Sequence, residues 1–120
     1  MSGWARRGAV LFLTCRQLGP TLPAISAQLR RYRIAAGNPA QFAEEWRRSV
    51  LPLRQQYGFR VQGWLVDGTD DFVWLLEHQD RAGFEAADEA YYASTDRKSF
   101  DPDPARLIVE TRNEWLTPVR

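Results

Sequence analysis

His78 is the single histidine of this 120-residue chain, and its imidazole is the side chain whose ordinary pKa best suits proton transfer near neutral pH. A phenol such as Tyr32 is a second candidate for moving a proton. Around these two, strand parity sends a set of polar and aromatic groups toward one cavity: Arg30 and Tyr32 from one strand, Gln62 and Trp64 from a second, Trp74 and His78 from a third. A fourth strand adds either Glu110 and Arg112 or Thr111, Asn113 and Trp115, depending on its register. In this reading His78 and Tyr32 are the catalytic candidates. Trp64 and Trp74 stack a ligand, and Arg30 or Arg112 anchors an anion or a carbonyl. Each has a plainer reading beside it: His78 as a strand-end residue hydrogen-bonded to backbone, the two tryptophans as core or interface packing.

Other chemistry is excluded more firmly. The chain has no phosphate-cradling glycine loop, no HExxH and no GxSxG, which removes most familiar enzyme classes. One cysteine, Cys15, forms no internal disulfide, and one cysteine with one histidine cannot build a structural zinc site. No metal and no cofactor are expected. Sixteen basic residues against fifteen acidic leave a net charge of +1, too little for a protein that holds nucleic acid through phosphate neutralisation. Five tryptophans, four tyrosines and six phenylalanines are a surplus for one small core, so rings are expected to line a pocket or a partner surface.

The elements that must position these groups follow from spacing. Residues 28–35 (QLRRYRIA) alternate as a strand ended by Gly37. Asn38 caps, Pro39 takes the first helical position and Gln41 reaches back as in a capping box. Phe42, Trp46, Val50, Leu53 and Tyr57 then draw one apolar stripe along a helix over 39–57, kinked or tightened by Pro52 and stopped at Gly58. Residues 59–66 and 71–78 alternate on either side of Asp67-Gly68, a β-hairpin. A second helix starts at Asp80 and carries Phe84, Ala87 and Tyr91 at helical spacing. Asp101-Pro102-Asp103-Pro104 blocks its continuation, and 106–116 is a long last strand closed by Pro118.

Strand, helix, strand, strand, helix, strand is the split βαβ, ferredoxin-like order: an α+β fold with a four-stranded antiparallel sheet and both helices on one face. The other face is not polar. Phe59, Val61, Gly63 and Leu65 share one side of the second strand, Arg60, Gln62, Trp64 and Val66 the other. On the third, Val73 and Leu75 oppose Phe72, Trp74, Leu76 and His78. A sheet wetted on one side shows a clean polar alternation, so a second copy of the sheet across a two-fold axis is the expected cover.

The chain resembles the NIPSNAP-type branch of the dimeric α/β barrel superfamily. The resemblance runs through Leu29-Arg30-Arg31-Tyr32-Arg33-Ile34 with Gly37, then Phe42, Trp46 and Gly58, then Gly63-Trp64 and Val73-Trp74. It continues in Asp80-Arg81, in Tyr91-Tyr92-Ala93-Ser94 with Arg97, and in Asp103-Pro104 before the last strand and Pro118. It implies a homodimer whose two sheets close a barrel with the helices outside. It implies no single activity, because relatives in the wider superfamily include cofactor-free monooxygenases, haem-degrading enzymes and lactone isomerases.

Two functions follow. One is a small-molecule enzyme or binder whose barrel interior stacks an aromatic or polyketide-like ligand between tryptophans, a cofactor-free oxygenation being one version. The other is a protein-interaction or scaffold domain with no pocket. An enclosed pocket of about 300 Å³ or more reaching His78 favours the first, and a barrel filled by its own side chains favours the second. The domain is expected over 28–118, in the cytoplasm, as a homodimer that neither binds nucleic acid nor spans a membrane. Residues 1–27 read as an extension outside the core. Arg6, Arg7 and the apolar run Ala9 to Leu13 outline a secretory signal, cut short by Arg16. A flexible or translation-start extension and an edge element packed through Val10, Leu11 and Leu13 are the alternatives.

Overall fold

The structure, a computed structural model, describes residues 25–119. The readings made of residues 1–24, among them the signal outline, Cys15 and the packing of Val10, Leu11 and Leu13, lie outside the described residues. Strand β1 (Ser26–Ile34) starts two residues before the strand read from the sequence. A continuous helical stretch follows, made of α1 (Pro39–Glu45), a π-helical segment (Trp46–Val50) and α2 (Leu51–Gln56). Its start is only half as expected: the Asn38 amide donates to the Gln41 side chain at 2.9 Å, and no side chain caps the backbone. At Pro52 the turn before the proline is widened, where a kink or a tightening of the last turns was expected. Proline offers no N–H to the carbonyl four residues back, and the preceding turn adopts the wider π ladder, with the Leu51 N–H donating to the Trp46 carbonyl.

β2 (Arg60–Leu65) and β3 (Asp71–His78) form the hairpin, its loop set by Gly68 at φ +77°, a conformation L side chains rarely adopt. Asp80 caps α3 (Arg81–Ala93) by accepting from the Gly83 N–H at 2.6 Å. Ser94 ends α3 and caps the short α4 (Thr95–Lys98). The last strand begins later than its alternation suggests. Asp103 accepts from the Ala105 N–H at 3.0 Å and winds Pro104–Leu107 into a 3₁₀ turn, leaving β4 as Ile108–Leu116.

The four strands form one antiparallel sheet in the order β2-β3-β1-β4, an α+β fold of the expected element order. Directly paired residues share a face, so the register sorts the side chains. Gly63 pairs with Trp74, Trp74 with Arg30, and Arg30 with Asn113. That face carries Tyr32, Ile34, Phe72, Trp74 and Leu76 into the core, against Phe42, Trp46, Val50 and Leu53 of the first helical stretch and Phe84 and Tyr91 of α3. The aromatic surplus is largely spent here. Trp46 lies 5.0 Å from Phe72 and 5.6 Å from Trp74 between ring centroids, and Phe42 lies 5.1 Å from Phe72. Edge-to-face pairs of this kind add about 0.5–1.5 kcal/mol each beyond the area they bury.

On the opposite face the register sets Leu29 across from Leu75 and Trp64 across from Val73, and no described helix packs on that side. Trp64 is 48% exposed. Ion pairs lie beside the apolar strip: Arg31 to Asp71 at 2.7 Å and Arg33 to Glu110 at 3.0 Å. Among the described residues, no helix is long and apolar enough to cross a membrane.

Candidate functional site

Between the sheet and the helices lies a narrow cavity of about 30 Å³. Phe42, Trp46, Val50 and Arg54 recur every four residues, and all four line it from the helical side. Tyr32 and Trp74 form its floor, Tyr91, Tyr92 and Arg97 one wall, and Pro104, Ala105 and Ile108 its far end. The helical period thus brings an arginine to the position where a leucine would be unremarkable. Its side chain has no exposed surface. The guanidinium lies 3.8 Å from the centroid of the Tyr91 ring and 5.4 Å from that of Trp74, contacts that favour a cation over ring faces.

Hydrogen bonding around Arg54 is incomplete. Its Nη1 donates to Asp88 Oδ1 at 2.7 Å, while Nε and Nη2 have no hydrogen-bond partner. The indole N–H of Trp46 has none either. That of Trp74 lies toward the Tyr32 hydroxyl without a hydrogen bond of ordinary geometry. Buried donors in folded proteins are nearly always paired, so a cluster of this kind calls for an explanation. The same Asp88 oxygen also accepts from Arg30 Nη2 at 3.2 Å, and Arg30 reaches the Tyr92 hydroxyl at 3.1 Å. Two buried guanidiniums therefore share one carboxylate.

The phenols do not supply the missing negative charge. Burial raises the Tyr32 pKa and Tyr92 adds to the rise, against the opposing pull of Arg30 and Trp74. Burial pushes Tyr91 up to about 12 despite Arg54 and Arg97 nearby. Both stay protonated near neutral pH, as hydrogen-bond donors. Burial works against the charge on Arg30, but Tyr92, Tyr32 and Asp88 outweigh it and hold its pKa above the ordinary guanidinium value.

The residues singled out in the sequence divide between three places. Arg30, Tyr32 and Trp74 come together on the helix-covered face, with Arg30 Cζ 5.6 Å from the Trp74 ring centroid. Trp64 and Gln62 do not join them. Gly63 is the residue paired with Trp74, so its neighbours on β2 point to the open face. Arg112 pairs with Arg31 on that same open face and borders a shallow basin of about 410 Å³ with Arg33, Asp71 and Glu110. Of the two sets offered for β4, Thr111, Asn113 and Trp115 share the face of Trp74, and Glu110 and Arg112 lie opposite. The single pocket lined by Tyr32, Trp64 and Trp74 is thereby corrected: one-residue alternation separates Trp64 from the other two.

His78 keeps the parity of Trp74 but not its company. Its Nε2 lies 3.3 Å from the Tyr57 carbonyl, and its ring meets Phe59 edge to face at 5.1 Å. The space it borders is an open groove of about 690 Å³ lined by Gln55 to Phe59 and Gln79. This is the strand-end environment of the plainer reading. Sequence reasoning missed Arg54, although its spacing from Phe42, Trp46 and Val50 was the available signal. Among the described residues, no group of three histidine, cysteine or carboxylate side chains is placed to hold a metal ion.

A family model described as NIPSNAP matches residues 27–120. The fold is similar to that of an uncharacterised NIPSNAP domain protein from Burkholderia xenovorans, at 23% identity and a TM-score of 0.71, covering 78% of this chain and 94% of that one. A NIPSNAP family protein from Agrobacterium tumefaciens has 14% identity and a TM-score of 0.71, over 79% of this chain and 93% of that one. SnoaB, a cofactor-independent oxygenase from Streptomyces nogalater, has 18% identity and a TM-score of 0.61, over 81% and 95%. At these identities the likeness is one of fold. No curated protein matches the sequence.

Proposed function

The chain belongs to the NIPSNAP family, and from that premise we propose that it binds a small aromatic, polyketide-like molecule between sheet and helices and converts it without a cofactor. The observation that carries this reading is the cavity itself, where aromatic rings surround buried N–H donors that lack acceptors. Its volume is about that of one water molecule in the liquid. A ligand therefore inserts an oxygen and rests its ring against the rim, where Tyr92 is 44% exposed. The fold shared with a cofactor-independent oxygenase supports an oxygenation. In such a step an activated methylene loses a proton, its carbanion reduces dioxygen, and both methylene hydrogens end in the water that leaves. One oxygen atom enters as a carbonyl and the other leaves as water, so the substrate supplies the electrons. Tyr32, kept protonated by burial, is the donor from this chain to the ligand oxygen.

The same proposal includes a homodimer. Leu29, Val73, Leu75 and Trp64 form an apolar strip on the face with no helical cover, and a second copy of that face is the simplest complement. The competing reading, a scaffold domain, rests on the small size of the cavity. Thermal melting with hydroxylated anthraquinones, flavonoids and haem separates the two. A ligand at a hundredfold excess over its Kd stabilises by about 2.7 kcal/mol, a rise of roughly 10 °C or more for a domain this small. A rise with the anthraquinones or flavonoids is expected; no rise with any probe overturns the binding reading in favour of the scaffold.

A further inference from the structure

Two buried cations share one half-buried anion. Arg30 and Arg54 both reach Asp88 Oδ1, and the other side chains facing Arg54 are Tyr91, Tyr92, Phe59 and Trp74, reached through their rings. Arg97, on the cavity wall, already has Asp103 at 3.2 Å. The site thus carries one positive charge more than its carboxylates balance, and the excess coincides with open hydrogen-bonding positions on Arg54. Desolvated charge is costly unless paired and hydrogen-bonded. What completes this site is an acceptor with one negative charge.

We propose that Arg54, with the indole N–H of Trp46 on the same cavity, forms a receptor for a single anionic oxygen, so that the ligand is held as a phenolate or enolate. The inference rests on the reading that the cavity between sheet and helices is the ligand site, and names the charge state that site selects. The size of the cavity agrees, since about 30 Å³ admits an oxygen but not a ring. A guanidinium presenting two adjacent N–H directions suits a carboxylate as a bidentate partner and an enolate or phenolate as a forked one. Holding the ligand as its anion also places it in the electron-rich form that reacts with dioxygen.

The test uses 4-nitrophenol, whose phenolate absorbs at longer wavelength than its neutral form, and 4-nitroanisole, which has the same ring but cannot ionise. With the full chain held one pH unit below the solution pKa of the phenol, the bound fraction is expected to show the phenolate band. The phenol is expected to bind at least tenfold more tightly than the ether. Arg54→Met should remove both effects, and Arg54→Lys should keep part of the charge preference. Trp46→Phe keeps an aromatic ring but loses the N–H together with the outer part of the indole, and should weaken phenolate binding severalfold and more than binding of the ether, so the test does not depend on the arginine variant folding. Arg112→Ala, on the open face, should change nothing. Equal binding of phenol and ether without the phenolate band overturns the anion receptor and leaves the ligand site standing. A phenolate band that survives in folded Arg54→Met, or disappears in Arg112→Ala, also overturns it. Binding of neither probe overturns the receptor, while melting with the larger anthraquinones then decides the site separately.

Discussion

Replacing Gly63 by alanine tests the face assignment on which the site depends. A Cβ at this position would lie 2.7 Å from Phe72 Cζ and 2.8 Å from Trp46 Cη2. Carbon atoms prefer about 3.5–4.0 Å, so both rings must retreat by roughly an ångström. Neither has room, because both are buried and they pack on each other at 5.0 Å between centroids. Overpacking of this kind costs about 1–3 kcal/mol, and contact with two fixed rings puts it at the upper end. The loss of unfolded-state freedom returns about 0.4–1 kcal/mol. The net expectation is a destabilisation of about 2 kcal/mol, a fall in melting temperature of roughly 8–16 °C. Urea and thermal denaturation followed by circular dichroism read it directly. Trp46→Phe removes the crowding atom, so the double variant should recover part of the loss, with a coupling of about 0.5–3 kcal/mol. Gln62→Ala, one residue away on the open face, should stay within about 0.5 kcal/mol. If Gly63→Ala were as mild as Gln62→Ala, Trp46 would not lie over Gly63, and the placement of Trp74 beneath the helices would be refuted.

Glu45 is buried and accepts from Arg106 at 2.7 Å, and these hydrogen bonds lower its pKa from the ordinary 4.5 despite the opposing effect of burial. A lowered folded-state pKa gives stability that is complete above about 4.5 and lost as pH falls through the lower value. Glu45→Gln should therefore flatten the acid limb of a stability–pH curve measured by urea denaturation, and an unchanged limb would contradict the pairing. Tyr91, pushed up to about 12, should contribute little tyrosinate absorbance below about pH 11. Tyr91→Phe should leave that part of an ultraviolet titration nearly unaltered, and a marked loss of amplitude there would show that the phenol is not shielded. Leu75→Arg introduces a charge into the apolar strip of the open face. Light scattering should then fall from twice 13.8 kDa to the single-chain mass, and an original chain that already scatters as a monomer would refute the dimer.

Element order was legible because each element declares its period. Asp67-Gly68 between two alternating runs can hardly be other than a hairpin, and the Phe42 to Tyr57 stripe has no strand reading. The site was less legible, for a reason that lies in the strands. Large apolar or aromatic groups occupy both faces of β2 and β3, so shifting the pairing by one residue leaves both faces just as hydrophobic, and the pattern alone cannot say whether Trp64 or Gly63 accompanies Trp74. The one asymmetric signal is Gly63, a glycine inside a strand, which marks close approach of another group; that group is the Trp46 ring. His78 was misplaced for a different reason. Parity fixes the face on which a side chain leaves the strand, but at the strand end the ring packs beside Gly58 and Gly83, against Phe59 and the Tyr57 carbonyl, and not among the rings around Trp74.

Arg54 poses the sharper question, because an apolar side chain of similar volume in this position is expected to hold the fold as well. A buried ion pair is often no more stabilising than apolar groups of similar volume, and replacing one can add about 1–4 kcal/mol. Usually the obstacle is the partner left behind. Here Asp88 would still have Arg30 at 3.2 Å, so removing Arg54 strands no carboxylate and relieves two N–H groups that lack acceptors. Methionine fills much of the same space and packs well against the rings of Tyr91 and Trp74. Arg54→Met is accordingly expected to melt at or above the temperature of the original chain while losing the phenolate preference. A loss of more than about 3 kcal/mol in urea denaturation would refute this reasoning and make Arg54 a structural cation, held for its contacts with Asp88 and the tyrosine faces. Stability kept and binding lost is the signature of a residue whose cost to the core is offset only when a ligand is bound.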